Sequence, residues 1–172
     1  MKLGLTLLRI VVGALFVGHG LQKLAGKFGG YGLEGTGQAF ESLGLSPGRT
    51  HAIAAGAAET GGGALIAAGA LTPVGASLLT GTMATAIQTV HGSKGPWVTE
   101  GGYEYNVVLM AVVFALTDAG PGPWSVDAAQ GRGRWGTRWA LTQLAAGLAG
   151  SAAAVAYGRS RSTPAPAPDD NA

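Results

Sequence analysis

From His51 to Leu71 the chain reads HAIAAGAAETGGGALIAAGAL, and within that run Glu59 is the one carboxylate. At about 1.5 Å per residue the run is long enough to cross a bilayer as a single helix. An acid in hydrocarbon costs about 2.5–3.5 kcal/mol on insertion scales, so Glu59 must turn inward and find a partner. On a helix Ala52, Ala55, Gly56, Gly62, Gly63 and Ile66 share its face, which lets neighbouring helices come very close to it. Two readings stay open. Glu59 is the polar centre of a helix bundle, as a site residue or half of an ion pair, or it fixes packing through one hydrogen bond.

The rest of the composition fits a helical membrane protein. Of 172 residues 47% are hydrophobic and 12% charged, against roughly 25% charged in soluble domains. A net charge of +2 with scattered basic residues does not suggest nucleic acid binding. With no cysteine, disulfide, dithiol and thiolate-metal chemistry are excluded for this chain alone. The first apolar run holds Arg9, His19, Gln22 and Lys23 and lacks a small-residue cleavage pattern, so it is expected to be a retained helix.

Taken in order, Leu3 to Ala25 reads as a first membrane helix, in which snorkelling to head groups is the ordinary role of Lys23 and of the nearby Lys27. Gly26 to Gly48 is a glycine-rich connector with a short helix over Gln38 to Leu43, and its Phe28, Tyr31 and Phe40 suit a membrane interface. Leu71, Thr72 and Pro73 form a tight turn, making the helices on either side antiparallel neighbours. The next helix, Val74 to about His91, carries a stripe of Ser77, Gly81, Ala84, Thr85, Gln88 and His91 that calls for another helix rather than lipid. After a loop with Trp97 as an interface anchor, a fourth helix runs from Tyr103 to about Asp118, with Glu104 at its electropositive start. ProGlyProTrp at Pro121 to Trp124 ends it. Thr137 to Tyr157 reads as a fifth span, with Gly147/Ser151 and Gly150/Ala154 at helix-contact spacing, and the chain from Gly158 reads as a disordered polar tail. The expected fold is therefore all-α: a four-helix membrane domain over residues 1–127, a basic loop and additional membrane helix over 128–157, and the tail over 158–172.

If successive helices alternate in direction, depth from the Met1 face follows from helix rise: about 9 Å for Arg9, about 18 Å for Glu59, about 22–24 Å for His19 and Gln88, and about 27 Å for His91 and Glu104. His19, Lys23, Glu59, Gln88, His91, Glu104 and Asn106 are thereby expected to form a pocket opening away from the Met1 face, floored by Glu59. Arg9 lies nearer that face, directed inward to Glu59 or outward to Asp118 and the head groups. The histidine and carboxylate spacing is not a metal motif, and no metal is assigned. An apolar cleft with an imidazole and a carboxylate suits a quinone-like head group and proton exchange. An internal hydrogen-bond network that locks the bundle is the alternative of equal weight.

Several runs carry a family resemblance: LeuLeuArg at Leu7 to Arg9, HisGlyLeuGlnLysLeu at His19 to Leu24, AlaGluThrGlyGlyGly at Ala58 to Gly63, GluTyrAsn at Glu104 to Asn106, and GlyProGlyProTrpSerValAsp at Gly120 to Asp127. Together they resemble the DoxX family of small bacterial membrane proteins over about three quarters of the chain. The resemblance implies a four-helix membrane bundle in the bacterial inner membrane, and some relatives are subunits of membrane redox assemblies, including thiosulfate:quinone oxidoreductases. The helix at Thr137 to Tyr157 departs from that four-span pattern.

Two functions are expected from these readings. One is a redox-associated membrane subunit holding a quinone or other small ligand in the polar pocket, with redox proteins or a second copy as partners; the other is a non-catalytic scaffold or partner-binding subunit. Transport is the weaker third. Basic residues divide poorly between the faces, and the compact pair Arg132 and Arg134 favours a cytoplasmic Met1 face.

Overall fold

The computed structural model describes residues 3–162, and those residues are helical with no strand. The helices are α1 (Leu3–Ala25), α2 (Gly32–Ser42), α3 (Gly48–Ala68), α4 (Thr72–Ala86), α5 (Glu104–Ala119), α6 (Val126–Ala129) and α7 (Thr137–Arg161). A π turn over Ile87–His91 prolongs α4. Helix α1 packs on α3, α3 on α4, and α4 on both α5 and α7, while α2 lies against α3 and α1. The chain thus runs back and forth between a Leu3 end and an Ala25 end.

Local chemistry sets the turns. Helix α3 stops because Gly69 takes up a left-handed conformation (φ 61°), which lets Gly69 N–H reach Ile66 O and Ala70 N–H reach Leu65 O. Four residues after Gly69, Pro73 sits in the first turn of α4, where its missing N–H costs nothing. At Gly13 and Gly63 the backbones of α1 and α3 touch: a Cβ on Gly63 would lie 2.6 Å from Gly13 O.

The hydrophobic core, Val12, Phe16, Ile66, Ala76, Leu79, Val113 and Leu116, joins α1, α3, α4 and α5. On the α4 side facing α7 the seam is polar instead. Thr80 donates to Gln143 Oε1 (3.0 Å), Ser77 to Gln143 O (3.2 Å), and Gln88 Nε2 to Ser151 Oγ (2.8 Å), with Thr85 Oγ1 also 2.8 Å from Ser151 Oγ. The small and polar stripe expected to meet a helix does so, and the helix is α7. Gly147 is in that seam, 2.6 Å (from its would-be Cβ) from Thr80 Cβ, whereas Gly150 meets nothing within 4 Å.

Two expectations need revision. Helix α7 does not end at Tyr157: it continues to Arg161 and is tied down there, with Ser46 N–H donating to Gly158 O and Ser162 Oγ–H to Gly44 O. The part of the expected tail beyond Ser162 lies outside the described residues. Among the described helices only α1 and α7 are long and apolar enough to cross a membrane by themselves. In α3 the glycines, threonines, Arg49, His51 and Glu59 lower the hydropathy, and α4 and α5 have 15 and 16 residues.

Candidate site in the Ala25 half of the bundle

Two polar constellations sit at opposite ends of the molecule. At the Leu3 end Arg9 is buried, yet it pairs with no carboxylate among the described residues. Its Nε donates to Pro121 O (3.1 Å), and its two terminal nitrogens donate to Ala67 O and Trp124 O. Ala67 O is one of the carbonyls that the last turn of α3 leaves unpaired, so the guanidinium sits on the negative end of that helix. Asp127 is its counterpart. It is fully buried and accepts from Leu71 N–H (2.8 Å), Thr72 N–H (3.0 Å), Thr72 Oγ1 (2.8 Å) and Trp135 Nε1 (2.9 Å), which places a carboxylate on the positive start of α4. Burial raises the Asp127 carboxyl, but the hydrogen bonds from Thr72, Trp135 and Leu71 outweigh it and leave the group below its ordinary 3.8. Arg9 therefore reaches neither Glu59 nor Asp118, the two directions expected for it. Asp118 accepts instead from Thr137 Oγ1 (2.7 Å).

Toward the Ala25 end the bundle encloses a cavity of about 630 Å³. Its walls are mainly apolar: Val12, Leu15 and Phe16 of α1, Ala39 and Phe40 of α2 with Leu43 just after it, Ala54, Ala55 and Ala58 of α3, Leu78, Met83 and Ala86 of α4, Leu109 of α5 and Ala146 and Ala154 of α7. Into this lining project Lys23 and Glu59. Lys23 Nζ lies 2.7 Å from Glu59 Oε2, the carboxylate nearly buried and the lysine side chain 27% exposed. Snorkelling is thus not the lysine's role: its ammonium turns inward to neutralise the acid that α3 could not bury alone.

The remaining expected site residues divide. His19, His91 and Asn106 line the cavity with Lys23 and Glu59. His19 is exposed at the rim, its Nδ1 3.0 Å from Gln22 Oε1. His91 Nδ1 is 2.7 Å from Gly101 O, and buried Asn106 donates from Nδ2 to Met83 Sδ (3.4 Å). Gln88, Glu104 and Arg9 are outside the lining. Gln88 is turned to α7 by its bond to Ser151, and Glu104 begins α5 with its own N–H given to Pro96 O (2.8 Å).

His51 lines the cavity too and was not among the expected site residues. His51 is buried, its ring 6.0 Å from the rings of both Phe40 and Tyr157, and its Nε2 has no partner among the described residues. The signal was available in the helical spacing, because His51, Ala55 and Ala58 share the flank of α3 beside Glu59.

Comparison with known proteins adds the lineage. No solved structure matches the chain. A Bacillus subtilis (strain 168) protein named "Putative oxidoreductase CatD" is 35% identical over 116 residues, covering 67% of this chain and 80% of that protein. A family model described as DoxX matches residues 4–92, which carry α1 to α4, the Lys23–Glu59 pair and Arg9. The chain belongs to the DoxX family of small bacterial membrane proteins.

Proposed function

We propose that the chain is a multi-pass protein of the bacterial inner membrane, with α1, α3, α4, α5 and α7 as its spans, and a redox-associated subunit that binds a quinone-like molecule in the cavity. The observation that carries the proposal is an ion pair, Lys23–Glu59, set in a mainly apolar chamber large enough for an aromatic head group. Supporting it are the large apolar side chains left outside, among them Leu7, Ile10, Val11 and Leu15 on α1 and Leu141 and Leu148 on α7. Exposed aromatics flank them at both ends, Tyr31, Phe28 and Trp97 at one and Trp124 and Trp139 at the other, as head-group anchors do. The relative's printed name, an oxidoreductase, points the same way. Glu59 and His91 exchange the protons that accompany quinone reduction, and a partner protein supplies the electrons.

The test is retention and binding. Protein purified in detergent is extracted and assayed by mass spectrometry for lipophilic small molecules, and a short-chain quinone is titrated into the wild type, Glu59→Gln, and Glu104→Gln as a control outside the cavity. Binding lost in Glu59→Gln and kept in Glu104→Gln supports the proposal. No retained or bound quinone above empty micelles overturns it.

One observation favours a scaffold role instead: the motif residues Arg9 and Asp127 bind backbone groups, so part of the family pattern serves the fold. Loss of partner assembly in Glu59→Ala with small-molecule binding intact would favour that role.

A further inference from the structure

The π turn at the end of α4 delivers His91 to the cavity wall, and a tight loop fixes how its ring is protonated. The loop is held by Tyr103 N–H on Gly95 O (3.1 Å), Glu104 N–H on Pro96 O (2.8 Å) and Gly102 N–H on Trp97 O (2.9 Å), and Gly101 takes a left-handed conformation (φ 77°). Its carbonyl is thereby set 2.7 Å from His91 Nδ1. A carbonyl oxygen only accepts, so Nδ1 carries the hydrogen, and in the neutral ring Nε2 is left with a lone pair. Nε2 has no hydrogen-bond partner among the described residues. Among the other lining groups, Asn106 gives one of its two amide N–H groups to Met83 and keeps its oxygen as an acceptor, the Thr89 hydroxyl donates to Thr85 O, and Lys23 gives one of its three N–H groups to Glu59.

We infer that the His91 end of the cavity is built to accept a hydrogen bond, so that it selects an apolar aromatic molecule carrying an O–H, a phenol or hydroquinone, over the matching ether or carbonyl compound. The inference deepens the proposed cavity function and rests on it. For a redox couple it means that the reduced, hydroxylated partner is the one held more tightly.

With three histidines in the chain, ¹⁵N-histidine labelling gives a spectrum simple enough to assign His91 by comparison with His91→Asn. The ligand-free protein in detergent is expected to show a protonated Nδ1 and an unprotonated Nε2 at His91. 2-Naphthol is expected to move the Nε2 signal and to bind about tenfold more tightly than 2-methoxynaphthalene, the worth of one buried hydrogen bond. His91→Asn keeps a donor for Gly101 but removes Nε2, and should bring naphthol affinity down to that of the ether. A hydrogen on Nε2 in the free protein, or equal affinity for the two probes, overturns the inference while leaving the cavity reading intact. Binding of neither probe above empty micelles overturns the cavity reading and the inference together.

Discussion

Lys23 and Glu59 are separated by 36 positions in the chain and meet only because α1 and α3 approach closely enough for a lysine to reach across. Removing one partner from a buried pair costs about 3–5 kcal/mol, reduced here because Lys23 is 27% exposed. Lys23→Met is accordingly expected to lower the thermal midpoint in detergent more than the double variant Lys23→Met/Glu59→Leu does, since the double variant strands no charge. Asp127 supports a second prediction, with its sign fixed by linkage. Its carboxyl is held below the ordinary 3.8, so its stabilisation is complete above that value and is lost as pH falls through the lower folded value. Asp127→Asn should be less stable than wild type at neutral pH, and its acid unfolding profile should be flatter below the ordinary carboxylate range. The depth argument brought Lys23, Glu59, His91 and Asn106 to one region because helix rise is nearly constant. The depth of Arg9 near the Leu3 end was legible but its partners were not, because they are main-chain carbonyls, and carbonyls have no signature in a sequence.

The α1–α3 contact is made by glycines, which gives a test at the level of the helix pair. Gly63→Ala drives a methyl group into Gly13 O and should destabilise by about 1–3 kcal/mol, read as a lower thermal midpoint. Gly61, on the same helix, meets nothing within 4 Å, so Gly61→Ala should be neutral or stabilising by up to about 1 kcal/mol. Helix spans were legible where apolar runs end in glycine or proline: α1 covers Leu3–Ala25 as expected, and α3 and α4 are joined by a tight turn, which lies at Gly69 to Leu71 and not at Leu71 to Pro73. The C-terminal limit of α7 was not legible, because Gly158, Arg159, Ser160 and Arg161 read as a polar tail until Gly158 is seen packed on His51. Nor was the π turn over Ile87–His91.

For the molecule as a whole the absence of cysteine is an experimental convenience. Ser93 is exposed in the loop at the Ala25 end and Gln130 is exposed beyond α6 at the Leu3 end. With five spans and a cytoplasmic Leu3 end, Ser93→Cys should react with a membrane-impermeant maleimide in intact cells with an accessible inner membrane, and Gln130→Cys only after permeabilisation. Modification of both from the same side would require fewer spans, and the reverse pattern would invert the orientation.

The lining of the cavity begins at Val12 and Ser77, and beyond those residues toward Leu3 the interior is filled by Ile66, Ala76, Val113 and Leu116 and stoppered by the Arg9 and Asp127 clasps. The bundle is therefore a cup with a solid base, not a tube. For the function proposed above, this makes the rim the way in and out for a ligand, which would then be exchanged with one side of the membrane alone.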